Sequence, residues 1–595
     1  TELTRDYLAG RLNMLGLPAA ELVIPVSIEE IFKARIQHLG SRSMKIAGLL
    51  AVGARPLKID AIAALAGVAL DEATDAIEEL RRARLVESEH DRVRIVHELF
   101  RSAIYRDLGD LRRALYHRAL AAHILGEGAV ESSGGELAIH YARAGECELA
   151  ARYGWVAADR AMETGTVAEA VHFYQLVAEN EEDTAKRAEA TAGLARALHL
   201  GRDINRANPM LELAAGQLRA TGRTADALRL DIKRIEGLAE VEALPIGALT
   251  DGLRQLKQQA SNGADWEAVA LALDVELHLL HRAGDVPGIR RIFAEMREVA
   301  QMGSVEAAIL THAGLALGVL FDNPEEALLS ARQAVDLSLD CRGYRLMALI
   351  RLMVVLQYRG MLELPSSAPI VEEARALADR TGDVLLRFSI ESNLAVAALD
   401  AGDLERADVL MVRATSRLGA ADMAISRFNQ TNNRAELALA QHDYGKAAEA
   451  FTEAATYLGL TTPSYMQDLV TAGLGLCALE TGDLAEARRR EVDLSEAPPS
   501  WHFDPTTILA FRSRLLDRRG RHHDALLLLQ SSASDLEHRL VLAWLKVRAL
   551  EVRLMIRRRV GGARQIALDA KGRAEDLHLS HRVREFTELL ASTTG

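Results

Sequence analysis

Four histidines stand where two imidazoles three residues apart could grip one metal ion, His278 with His281 and His578 with His581. On a helix that spacing places both rings on one face, which makes half of a site. Neither pair has a thiolate or an obvious carboxylate in the same turn as a third ligand, so these are expected to be surface histidines and no metal is assigned. His97-Glu98 opens like a zinc-protease motif, but Arg101 stands where the second histidine would have to be. Gly445-Lys446 is followed by Ala447 and lacks the upstream glycine of a phosphate-binding loop, and no such loop occurs anywhere in the chain. There is no strand-to-helix nucleophile elbow, and Cys147, Cys341 and Cys477 have no histidine motif beside them. Arg488, Arg489 and Arg490, and again Arg557, Arg558 and Arg559, could meet phosphate or an acidic partner. Solvated helix faces paired with nearby acids are the expectation for both triplets. No catalytic residue is assigned, and the chain is not expected to be an enzyme.

Recognition by an extended helical surface remains, and the composition suits it. Hydrophobic residues make up 49% of the 595 residues and charged ones 26%, a soluble folded mixture, while aromatics are only 4% and prolines only 13. Sheets draw on aromatic and β-branched residues, so this balance favours helix. A net charge of −13 argues against a general nucleic-acid or anionic-membrane surface, which needs lysine and arginine in excess. Three scattered cysteines fit a reducing cytoplasm. The best apolar run, Leu346 to Leu356, is interrupted by Arg351, so no membrane span or signal peptide is expected. The chain begins with Thr1, and the expectation is that it is a piece of something longer.

A recurring turn organises most of the sequence. A glycine, or a polar stand-in, is followed five positions later by alanine: Gly145 with Ala150, Gly165 with Ala170, Gly222 with Ala227, Asp322 with Ala327, Gly402 with Ala407, His442 with Ala447, Gly482 with Ala487, and Gly520 with Ala525. Gly284 and Gly360 keep the glycine without the alanine. From Gly284 onward the anchors fall about 40 residues apart, the range of helix-pair repeats. The glycine accepts the left-handed conformation that ends a helix, the acid after it in Gly402-Asp403 and Gly482-Asp483 suits the next helix start, and the alanine lets two helices approach. Ala447, Phe451 and Ala454 share one helix face, with the aromatic filling the groove between paired helices. This pattern resembles the tetratricopeptide repeat (TPR), with longer copies than usual. It predicts a TPR-like α-solenoid, a right-handed superhelix of helix pairs, over 126–595 with a concave binding surface. Trp155, Trp266, Trp501 and Trp544 are expected in its core.

The first 125 residues lack that spacing. Helices are expected over Ser43–Val52, Ile59–Ala66 and Asp71–Ala83. Short strands should follow at Arg84–Ser88 and Arg92–Val96, around a polar turn at Glu89-His90-Asp91. Three helices and a hairpin make a winged helix over 41–125, with 1–40 as a linker or the end of an upstream module. Its third helix carries Asp71, Glu72, Asp75, Glu78 and Glu79 against Arg81, Arg82 and Arg84, a poor charge for a DNA major groove, so direct DNA contact is not expected.

Ile24-Pro25-Val26-Ser27-Ile28-Glu29-Glu30-Ile31, the winged module, and His97, Leu99, Arg101 and Tyr105 together resemble the segment that follows the nucleotide-binding domain in large signal-transduction ATPases. This class (STAND) includes LuxR-type and MalT-like bacterial transcription regulators. The family's closing stretch reads approximately Arg-His-x-Leu-x-Arg-x-x-Leu-Tyr, and this chain departs from it at Val96 and Ile104. The resemblance implies that His97 senses the phosphate of ATP or ADP held by an upstream domain, with Arg101 in support. A donor imidazole can do this, and a helix cap or packing role for His97 is equally open. The chain then holds no cofactor itself. Its repeats would bind a protein partner or small-molecule inducer, and its winged helix would control the upstream nucleotide-binding domain. The alternative is a self-contained protein-interaction scaffold with no ATPase attached.

Overall fold

The computed structural model describes residues 36, 38–128, 130–240, 244–381, 383–418, 424–459, 464–494 and 504–593. The Ile24–Ile31 segment, nearly all of the expected 1–40 linker, and Trp501 lie outside the described residues. Among those described, 29 α-helices account for most of the chain, with three short strands near its start. The chain divides into two compact units, 1–197 and 198–595, whereas the sequence reading divided it at 40/41 and 125/126.

Unit 1 begins with α1 (Ser41–Gly53), β1 (Leu57–Lys58), α2 (Ile59–Ala66), α3 (Leu70–Arg82), β2 (Val86–Glu89), β3 (Arg92–Ile95) and α4 (Glu98–Asp107). The three helices and the hairpin start and end within about two residues of the expected positions. The strands form an antiparallel sheet in the order β1-β3-β2, with Ser88 opposite Val93 and Leu57 on the other side of Val93. The turn works because His90 takes positive φ, 58°. Ile46, Leu49, Ile62, Leu80, Leu85 and Val93, all fully buried, form the core between helices and sheet. Helices α5 (Asp110–Gly126), α6 (Val130–Ala144), α7 (Cys147–Thr164) and α8 (Val167–Asn180) follow, each packed on the next.

Unit 2 is a two-layer array of helix pairs. Its first-of-pair helices cover Thr224–Glu240, Trp266–Ala283, Val305–Gly318, Arg342–Tyr358, Val384–Asp400, Ala424–Ala440, Ser464–Thr481, Thr506–Arg518, Val541–Arg558 and Ser580–Ser592, and each packs against the next of the set. These form the inner layer. The intervening helices, such as Leu404–Leu418 and Tyr444–Ala455, form the outer one.

The turn chemistry accounts for this periodicity. Gly145, Gly165, Gly222, Gly402, Gly482 and Gly520, and His442 in the same role, all have positive φ. All eight alanines five positions after the anchors are 0% exposed, so the small side chain does sit where helices meet. In the Gly402 copy the Gly402 and Asp403 amides donate to the Leu399 and Ala398 carbonyls, closing one helix. Asp403 Oδ1 then accepts the Arg406 amide at 3.1 Å and opens the next. Asp443 and Asp483 cap in the same way. Asp322 departs from the pattern because its φ is not positive. There the cap passes to Asn323, whose Oδ1 accepts the Glu326 amide at 3.2 Å. Phe451 is fully buried in the groove, as its spacing requires, among Ala447, Ala450 and Ala454. Trp544 is buried and Trp155 and Trp266 pack against core clusters.

The array also closes on itself. Arg539 donates from Nε to the Phe321 carbonyl at 2.7 Å, 218 residues away, and pairs with Asp322. Leu542 and Leu579 press on Gly360, and the His581 ring lies against Gly402, so the last helices meet the turns of three earlier pairs. No described helix is long and apolar enough to cross a membrane.

Candidate functional site

In unit 1, His97 is exposed at the residue preceding α4, with its ring edge-on to Phe100 and its side chain making no capping bond. Arg101 turns the other way. Its side chain is 12% exposed, pairs with Glu98, and donates from Nη1 to the Ala51 carbonyl at 3.1 Å. The structure therefore does not bring the two together: His97 faces outward and Arg101 pins α4 to α1. Tyr105, from the same motif, bonds His117 Nε2 at 3.0 Å, and His117 Nδ1 meets His140 Nδ1 at 2.8 Å. Both imidazoles are buried, and burial, reinforced by His140 and two nearby arginines, lowers His117 to about 3. This hydrogen-bonded relay ties α4 to α5 and α6.

The remaining chemistry-bearing residues are scattered. His278 and His281 bond the Asp274 and Leu277 carbonyls of their own helix. His581 lies apart from them on the last helix. Among the described residues no three metal-ligating side chains converge. Arg489 and Arg490 pair with Glu486, while Arg557 and Arg558 converge on Asp517, which is 2% exposed. Cys477 is buried and the other two cysteines are partly so; all three are free thiols.

What sequence reasoning missed is a cavity of about 850 Å³ inside unit 2, lined mainly by the inner-layer helices from Arg342–Tyr358 round to Ser580–Ser592. Closure of the array makes it. Lys546, on Val541–Arg558, reaches Asp400 Oδ1 at 2.8 Å and Asp504 Oδ2 at 2.9 Å. Burial works against the Lys546 charge, but Asp400 and Asp504 outweigh it and hold the ammonium well above its usual range. Burial likewise opposes the Asp504 charge, and Lys546 with the Thr506 bonds keeps that carboxyl below its usual range.

Glu436 is different. Thr507 Oγ1 donates to its Oε1 at 2.7 Å, yet burial, aided by Asp504 and Asp400, pushes its carboxyl up. Asn429, Asn432, Asn433 and Glu436 occupy positions i, i+3, i+4 and i+7 of one helix and all line the cavity. That spacing was the available signal, a polar stripe in an alanine-rich array. Tyr358 and Tyr465 complete this side, their phenols pushed up by burial, Tyr465 to about 12. Across the cavity, Arg553 and Arg582 both pair with Glu585 at 2.6 Å, and Arg514 pairs with Glu480.

No family model matches the chain, and no curated protein aligns with it. Similar solved structures are helical-repeat proteins at low identity. One is a signal transduction ATPase with numerous domains that carries a tetratricopeptide repeat sensor, from Pyrococcus horikoshii: TM-score 0.36, 13% identity, covering 80% of this chain and 65% of that one. Others are the human IFIT1 dimer with m7Gppp-AAAA, at TM-score 0.33, 16% identity and coverage of 69% and 90%, and yeast Tom70, at 0.29, 11%, 74% and 96%. The chain thus spans just under two thirds of the length of the first. The assignment to helix-pair solenoids rests on the turns, caps and layers of the chain itself.

Proposed function

We propose that this chain is the regulatory part of a multidomain signal-transduction ATPase, a bacterial transcription regulator, and that it carries out no catalysis itself. The inner-layer cavity of 198–595 receives a small-molecule inducer or a segment of a partner protein. The module at 41–125 acts as a winged helix that restrains an upstream ATP- or ADP-binding domain, with His97 as the group that meets phosphate. The observation that carries the reading is the closed array, whose like-placed helices surround a cavity lined by both apolar and polar side chains. The helix-strand-helix-helix-strand-strand order and the outward position of His97 support the rest.

Relay to the nucleotide domain requires that the ligand bind the open and closed states with different affinity. The experiment takes the longer protein, with its nucleotide domain, and follows ADP-for-ATP exchange while candidate effectors are titrated. Exchange should accelerate with one of them, and H97A should exchange quickly without it. Exchange indifferent to every effector and to H97A would overturn the reading. A free-standing interaction scaffold is compatible with the same cavity, and a coding sequence upstream of Thr1 without a phosphate loop would favour it.

A further inference from the structure

We infer that the cavity of unit 2 takes a ligand bearing a cationic nitrogen, an ammonium or a guanidinium, seated between Glu436 and the asparagine stripe before it. This rests on the reading of the cavity as the array's binding site, and it follows from which polar groups there lack donors. Asp400, Asp504 and Glu436 face one ammonium, that of Lys546, and its contacts go to the two aspartates. Glu436 is left with a hydroxyl bond to one oxygen, and its second oxygen has no partner among the described residues. The Asn432 side-chain oxygen Oδ1, one helical turn away, is buried and also unpartnered. A buried acceptor without a donor costs free energy, and the buried Asn432 side-chain oxygen and the free Glu436 oxygen on the same helix face are met together by a group with several N–H bonds and positive charge.

The opposite charge fits badly. Arg553, Arg582 and Arg514 are already paired with Glu585 and Glu480, so an anion entering beside Glu436 would meet carboxylates and find these arginines engaged. The asparagine amides and the Tyr358 and Tyr465 phenols suit a polar ligand with an extended hydrogen-bonding chain behind the cation. A lysyl or arginyl peptide segment and a free polyamine share this chemistry.

Isothermal titration of the full chain with spermidine, and with a terminally blocked tetrapeptide containing one lysine, tests the assignment. Each probe is run against its N-acetylated counterpart. The amines should bind, acetylation should abolish binding, and E436Q should weaken it at least tenfold. Thermal unfolding verifies that E436Q is folded, and N432L provides a second variant expected to weaken the same probes. Binding by both amines supports the shared ammonium, and binding by one alone identifies its source. No binding by either amine, equal binding of acetylated forms, or E436Q and N432L indistinguishable from the unaltered chain would overturn the inference. Amines that bind here but leave nucleotide exchange unchanged in the longer protein would sink the relay and spare the ligand class. A neutral or anionic effector that drives exchange would do the reverse.

Discussion

Replacing Lys546 with methionine should open the array at its seam. The side chain of Asp400 is 10% exposed and that of Asp504 34%, and the Lys546 ammonium lies within 2.9 Å of both. Removing one partner from a buried pair costs about 3–5 kcal/mol, because the charge left behind is desolvated and unmatched. The exposure of Asp504 lets water replace part of the lost interaction, so about 2–3 kcal/mol is expected for K546M. In a D400N/D504N background the same substitution leaves no charge stranded and should cost less than about 1 kcal/mol, a coupling of roughly 2 kcal/mol. Urea denaturation of the four proteins yields the cycle. A repeat array can unfold in segments, so amide hydrogen exchange must accompany it. In K546M, exchange should rise first over 541–592 and at the turns around 322, 360 and 402. An equal loss in both backgrounds, or exchange that rises evenly along the unit, would show that the triad does not hold the seam.

Glu436 has the opposite sign. Its folded-state carboxyl is pushed above the ordinary glutamate range, so its stabilising contribution belongs to the protonated form and is lost as pH rises through the folded value. E436Q should therefore denature at higher urea than the unaltered chain near neutral pH, with the difference vanishing in acid. Burial, followed by nearby positive charge, lowers two of the buried histidines, His117 and His199, to about 3. Each supplies stability above about pH 6.5 that is lost as pH falls from there towards 3, at roughly 1.4 kcal/mol per pH unit. H199F should remove one such slope from urea titrations between pH 7 and 5. At Gly473 an added Cβ would lie 2.3 Å from Phe451 Cζ, and the ring is fully buried. Overpacking costs about 1–3 kcal/mol against a helix-propensity gain of about 1. G473A should therefore lower the thermal midpoint alone but raise it in an F451L background.

The parts of this fold that were legible in the sequence are those whose cause is local. A glycine with positive φ, an aspartate capping three residues on, and an alanine too small to hold helices apart announce themselves within six residues, which is why the eight anchored alanines are all buried. The hairpin around His90 was legible for the same reason. The two-residue strand Leu57–Lys58 was not, because its edge is set by Val93, far along the chain. The cavity was hidden by a more general difficulty. Asn429, Asn432, Asn433 and Glu436 form an ordinary polar helix face, and such faces usually meet solvent. Only closure by helices more than a hundred residues later turns that face inward. His97, with Arg101 in support, was read from motif order; the Arg101 amide does bond the His97 carbonyl at 3.0 Å, but the two side chains part, His97 to the surface and Arg101 to Glu98 and the Ala51 carbonyl, a divergence that motif order does not reveal.

Closure gives the cavity a consequence that an open solenoid would lack. Its walls include Glu436 from the middle of the array and Lys546, Arg553 and Glu585 from its end, so a ligand touching both groups is bound only while the seam is shut. Its affinity then reports the closed population, and by linkage its binding stabilises closure by the same free energy. The Lys546 triad sets how much of that population exists before ligand arrives. Weakening it with K546M should reduce amine affinity even though the inferred ammonium contacts, Glu436 and Asn432, are untouched. The D400N/D504N/K546M protein, which strands no charge, should recover most of that affinity. If K546M instead binds the amines as tightly as the unaltered chain, closure and recognition are independent.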